Sequence, residues 1–334
     1  MHSGIQESDG GVARFYRADS ATNAAVSTEI TGYAASTLAY LHSRTGKPEY
    51  LDAAVRAADY LARHAWDSAA STIPFEPGSD RAYFFDIGII VRGLLAVWRA
   101  TGEEEYRARA QEAALSLAFD FLGEGSFHPV ISLPDKQPLP EEARWSRKPG
   151  CYQLKSALAW RDVGDPHAKQ MFDAAVGFAL ATHEQFLQEE SDREKLMDRL
   201  HAYCYFLEAL LFTDERPALA SGINRVAQLL REIQPVFEHS DVNAQLLRIR
   251  LVAHHLDLVA LDEDAALEEA AHTASFQALE VSDPKLRGGF WFGRKGALML
   301  PFSNPVSTAF GVQALALWQD HQAGRWSFEL PQLI

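Results

Sequence analysis

The stretch LHSRTGKPEYLDAAVRAADYLARH (Leu41 to His64) returns 56 residues later as VWRATGEEEYRARAQEAALSLAFD (Val97 to Asp120), with Thr45-Gly46 and Glu49-Tyr50 answered by Thr101-Gly102 and Glu105-Tyr106. A repeat constrains architecture more tightly than composition, because one copy cannot bury its apolar face without a neighbour. Each copy reads as a helix, a turn on Thr-Gly, and a second helix whose Ala-rich stripe recurs at i, i+3, i+4 and i+7. The unit is a helical hairpin. Looser copies follow: CYQLKSALAW with a turn at Gly164-Asp165-Pro166, LHAYCYFLEALLF with a turn at Asp214 to Pro217, and VNAQLLRIRLVAHHL with a turn near Asp262 to Asp264. With a last helix in STAFGVQALALWQDHQAG, the expectation is five hairpins and one additional helix, with almost no strand.

The two helices of a hairpin differ in character. First helices are apolar on most of their circumference (GIIVRGLLAVW from Gly88, AFGVQALALW from Ala309), whereas second helices carry charged stripes such as Arg56, Asp59 and Arg63. A helix apolar nearly all round is buried and a half-charged one faces water. Six inner and five or six outer helices fit a closed ring, an all-α (α/α)6 toroid, as a single domain over residues 1–334. Open stacks such as tetratricopeptide and ankyrin arrays have shorter periods.

Closure has a functional consequence. Links inside a hairpin are tight, but the links from outer to next inner helix are long at Asp67 to Phe84, Leu122 to Pro149 and Val281 to Val306. Long loops in a compact domain usually build a site. They meet the N-termini of the inner helices, whose free N–H groups suit an anionic or hydroxyl-rich ligand. The residues expected there are Glu29 and Tyr33 on the first inner helix, Asp86 and Arg92 on the second, and Tyr152 on the third. The fourth adds His201, Tyr203 and Tyr205, the fifth Asn243, Gln245 and Arg248, and the loop before the sixth Trp291, Phe292, Arg294, Phe302 and Asn304. Acids, aromatics and arginines in this mixture suit a sugar: rings stack on aromatic faces, hydroxyls pair with carboxylates and amides, and uronates with arginine. Glu29 and Asp86 are the candidate acid and base, with His201 as a second base.

Structural roles compete for the same residues. Asp86 and Ser27 are good N-caps by type, and an acid such as Glu29 is favoured in a first turn by the helix dipole. His201 also fits a hydrogen-bonded core histidine. Arg92 and Arg248 lie deep in apolar helices and need a carboxylate or ligand partner, for which Asp86 and Glu29 are the candidates.

Other functions are disfavoured. A formal charge of −14 and the lack of a basic stripe argue against nucleic acid and anionic membranes. The start MHSGIQESDG has no basic or apolar leader, no run is long enough to span a bilayer, and Cys151 and Cys204 form no disulfide or zinc spacing. The cytoplasm is the expected location. No phosphate-binding glycine loop, H-E-x-x-H or G-x-S-x-G occurs, and His201 with Cys204 would need further ligands to hold a metal, so neither a metal nor a cofactor is expected.

The T-G-x-x-x-Y repeat, the start DGGVARFYR…STEITGY (Asp9 to Tyr33) and FDIGIIVRGLLAVWRATG (Phe85 to Gly102) resemble six-hairpin toroid proteins of carbohydrate metabolism. That superfamily includes N-acylglucosamine 2-epimerases and unsaturated glucuronyl hydrolases, and toroid proteins of bacterial polysaccharide gene clusters look most similar. The resemblance implies a sugar or oligosaccharide ligand. It implies hydrolysis or elimination at a glycosidic bond first and epimerisation second, with Asp86 standing where the hydrolases carry a catalytic Asp. The third inner helix opens as KPGCYQL without an acid, and the last has no histidine. Those two departures favour the alternative, a non-catalytic glycan-binding or polysaccharide-assembly protein on the same scaffold.

Overall fold

A computed structural model describes residues 3–187, 192–234 and 236–334, with residues 166 and 167 followed through the backbone only. Among these residues lie eleven α-helices in chain order: α1 (Thr28–Thr45), α2 (Pro48–Asp59), α3 (Phe84–Thr101), α4 (Glu104–Phe119), α5 (Leu154–Val163), α6 (Pro166–Phe186), α7 (Arg193–Leu210), α8 (Arg216–Ile233), α9 (Ser240–His255), α10 (Glu263–Ser275) and α11 (Pro305–Gln322). Strands are two or three residues long: β1 (Tyr16–Arg17), β2 (Thr22–Asn23), β3 (Arg81–Tyr83), β4 (Val130–Ser132), β5 (Phe237–His239), β6 (Gly293–Lys295), β7 (Leu298–Met299) and β8 (Phe302–Ser303). The five hairpins and additional helix expected from the repeat are thus present, with turns where the Thr-Gly and Asp-rich segments stand. Gly46 and Gly102 both end their helices in the left-handed conformation and bond back to His42 O and Trp98 O, which is why both first copies turn at Thr-Gly.

The chain divides into two compact units. Unit 1 comprises residues 1–14 and 23–181, and unit 2 residues 15–22 and 182–334. Within unit 1, α3 packs against both α1 and α5, while α2 and α4 cover α1 and α3 from outside. Glycine sets the spacing. A Cβ on Gly88 would fall 2.4 Å from Ser156 Cβ of α5, and one on Gly93 would fall 2.5 Å from Gly32 O of α1. Within unit 2, α9 takes the corresponding place between α7 and α11, and fourteen of its residues, Ser240 through Ala253, are buried.

The short strands stand where the inner helices begin. β3 runs directly into α3 and pairs antiparallel with β4, so the long loop after α4 is stitched to the start of the second inner helix. In unit 2, β5 runs into α9 and pairs with β6, while β8 pairs with β1 just before α11. Isolated ribbons this short have little stability of their own; their register fixes loops against helix N-termini. No helix among the described residues is long and apolar enough to cross a membrane.

Candidate functional site

Two polar clusters stand out, one in each unit; the first lies at helix starts, whereas His201 of the second, expected at the start of its helix, is the ninth residue of α7 because that helix begins at Arg193. In unit 1, Ser27 caps α1 as expected, its Oγ accepting from Ile30 N at 3.4 Å. Glu29 follows in the first turn, half-buried, and Tyr33 lies one turn on at 1% exposure. Asp86 departs from its expected N-cap role. The cap position is Tyr83, so Asp86 is the third helical residue, and its Oδ2 is enclosed without a hydrogen-bond partner among the described residues. Burial pushes its carboxyl well above the usual range, the Glu29 charge adds to that, and Arg14 opposes it. The positive helix end favours the ionised form by only about 0.3–1 kcal/mol, and here desolvation outweighs it. Tyr152, in a tight turn before α5, donates from its hydroxyl to Lys148 O at 3.0 Å and lies near enough to Asp86 to feel its charge.

In unit 2, His201 sits on α7, 18% exposed at the side chain. Its Nε2 is 2.8 Å from Tyr205 Oη and its Nδ1 is 2.8 Å from Gln245 Oε1. With that amide oxygen as acceptor Nδ1 donates, while Nε2 and the tyrosine hydroxyl share the second bond. Asp241 Oδ1 lies 3.7 Å from this Nδ1 and 3.8 Å from Nδ1 of His239, so one buried carboxylate stands between two imidazoles. His239 is packed against Phe237 and Phe292, at 4.6 and 4.2 Å between ring centres, and burial pushes it down to about 4. Phe292 in turn stacks on Phe302 at 4.7 Å. Trp291 is half-buried beside them, its carbonyl accepting from Ser240 Oγ at 2.7 Å.

A titration follows from His239. It is 3% exposed and its folded pKa lies below the unfolded value near 6.5, so the native state binds fewer protons between pH 6.5 and 4. Its contribution is intact above that window and fades as pH falls through it, by up to about 3 kcal/mol. The stability difference between the parent and His239→Gln is therefore expected to shrink, from pH 7 to pH 4, in urea unfolding at a series of pH values. A pH-independent difference would contradict the burial argument.

Other expected site residues belong to buried networks. Arg92, 6% exposed, pairs with Asp162 at 2.9 Å, and Arg248, fully buried, pairs with Glu208. Their acids are therefore Asp162 and Glu208, which the sequence reading had not nominated. Arg294 pairs with Glu238 at 2.5 Å and lines a cleft of about 460 Å³ with Arg231, Gln234, Glu268 and His272. Asn243, 1% exposed, donates to the same Glu238 at 2.9 Å, and Tyr203 shares a hydrogen bond with His183 at 2.9 Å. No group of three or more His, Cys, Asp or Glu side chains among the described residues forms a metal site.

With this geometry in place, comparison with solved structures is informative. The chain matches cellobiose 2-epimerase from Spirochaeta thermophila with a TM-score of 0.73 at 14% identity, covering 96% of this chain and 93% of that one. An unsaturated glucuronyl hydrolase specific for heparin gives 0.66 at 12% identity over 96% and 94% of the two chains. A GH76 α-mannanase from Bacteroides thetaiotaomicron gives 0.62, also at 12%, over 96% and 94%. The fold is the six-hairpin (α/α)6 toroid. No protein-family model matches the chain, and no curated protein does. At these identities the toroid relatives share an architecture, and residue roles have to come from this chain's own side chains.

Tyr205 and Gln245, both expected near His201, are its partners, whereas His239 and Asp241 are not among the residues expected from the sequence. A signal was available: α9 begins at Ser240, two residues ahead of the apolar run starting at Val242, which places Glu238-His239-Ser240-Asp241 at an inner-helix start.

Proposed function

We propose that the protein is a general acid–base enzyme acting on a sugar or uronate-containing oligosaccharide, with residues 1–334 acting as one toroid domain and the ligand held where the inner helices begin. The observation that carries this reading is Asp86, a carboxyl group enclosed at a helix start, with one oxygen unpaired and its proton retained by burial beside Glu29. Such a group is a poor structural element and a good proton donor. Hydrolysis of a glycosidic bond is the leading chemistry: Asp86 protonates the leaving oxygen as its bond to the anomeric carbon breaks, and Glu29 takes the proton of the water that attacks that carbon. Toroid relatives that include a glucuronyl hydrolase and a mannanase support that class.

Epimerisation beside a carbonyl is the second reading, favoured by one observation. His201 and His239 flank Asp241, and an imidazole held through both ring nitrogens, as His201 is, is suited to moving a proton on carbon. A cellobiose 2-epimerase among the relatives is in keeping with it.

The test is incubation with paired neutral and uronate-containing disaccharides, read by mass spectrometry for cleavage and by NMR for a mass-neutral isomer. A cleaved product supports the first reading, and an isomer the second. Thermal-shift binding without product on every hit would instead favour a glycan-binding or assembly role.

A further inference from the structure

Arg147 differs from the other buried arginines in who neutralises it. Its side chain is 8% exposed, yet its acid partner Glu142 is 60% exposed, in the loop between β4 and α5. The acids paired with Arg92, Arg248 and Arg250 are 4%, 0% and 4% exposed. A ligand that displaced one of those would strand a buried carboxylate, at large cost. Glu142 would return to water, and an exposed partner is released cheaply.

The guanidinium is also incompletely used. Nη2 donates to Glu142 Oε1 at 2.8 Å and Nη1 to Tyr83 Oη at 3.3 Å, while Nε is buried with no partner among the described residues. The Nε–Nη2 edge is the fork that takes a carboxylate through two parallel hydrogen bonds, and Glu142 fills half of it. A buried N–H without an acceptor is destabilising, and it persists most readily where a ligand completes it. Around it stand aromatic rings: Tyr83 packs on Phe75 at 5.0 Å, and Trp145, half-buried, meets Tyr152 edge-on at 4.9 Å. Tyr152 also packs on Phe85, the residue before Asp86, at 6.1 Å between ring centres, so the fork and that carboxyl share one neighbourhood of unit 1.

We infer that Arg147 is the recognition site for the carboxylate of an acidic sugar, that Glu142 holds its place in the free protein, and that Trp145 offers the face on which the sugar ring stacks. This rests on the acid–base sugar reading above and adds a substrate class to it: the uronate side of the panel, bound next to Asp86.

The experiment compares cellobiose with its counterpart carrying glucuronate at the non-reducing end, by isothermal titration of the full chain and of two variants with parent-like circular dichroism. The parent is expected to prefer the uronate. Arg147→Gln removes that preference, so that the uronate binds no tighter than cellobiose. Glu142→Gln, which keeps size and an acceptor but removes the competing charge, tightens the uronate about three- to tenfold. Equal binding of both sugars by all three proteins overturns the inference and leaves the sugar reading standing. Binding of neither sugar sinks both. A uronate preference that survives Arg147→Gln, with both variants only melting earlier, makes the pair a loop latch and also overturns it.

Discussion

Glu208→Gln is expected to lower stability by about 3–5 kcal/mol in urea unfolding, because it leaves a guanidinium charged in a place water does not reach. Arg248 and Glu208 are both fully buried and directly paired. Arg248 has further contacts: Nη1 donates to Gln313 Oε1 at 2.9 Å and to Ile334 O at 3.2 Å, and its guanidinium carbon lies 4.0 Å from the centre of the Phe310 ring. Glu208 is the acid side chain among its partners. Arg248→Met strands Glu208 instead and is expected to cost a similar amount. The double variant Glu208→Leu with Arg248→Met removes both side-chain charges and fills the space with hydrocarbon, leaving only the Ile334 oxygen without its donor, so part of the loss should be recovered. Singles as stable as the parent would mean that solvent or another charge reaches the pair, and would reopen Arg248 as a ligand contact.

This pair also marks the boundary of what the sequence discloses. Helices, hairpins and turns are legible because their signals are local: a 3.6-residue apolar period, Gly46 and Gly102 in left-handed caps, and Ser27 one residue ahead of α1. The burial of Arg92 and Arg248 is legible too, since both lie in apolar runs. Their partners are not. Asp162 is 70 residues from Arg92, and Glu208 is 40 from Arg248, each on a different helix. Periodicity says which face turns inward but not which acid meets which base across the core. The same applies to the site. Asp86 reads as a cap by type, and only the helix start at Phe84 shows it one turn too deep to cap. His239 and Asp241 escape because helix starts inferred from apolar runs begin late when the first turn is polar.

Asp86→Asn separates a catalytic acid from a structural carboxylate by the sign of its effect on stability. The folded pKa of Asp86 lies above its unfolded value of about 3.8, so the native state holds the extra proton between the two. Its contribution is therefore most favourable below pH 4 and declines as pH rises through the folded pKa, the reverse of a salt-bridged aspartate. Asparagine fits the same space and never ionises. The variant should melt above the parent at pH 8 and approach it at pH 4, in thermal unfolding across that range. Turnover of whatever substrate the panel yields should fall about 10²–10⁴-fold, the usual worth of a positioned general acid. A carboxylate kept for the framework would give the opposite melting result, a loss at pH 8, since removing its charge would remove an interaction. Gained stability with undiminished turnover would leave Asp86 buried and protonated for no chemical purpose, and the acid would then have to be sought in unit 2, between His201 and His239.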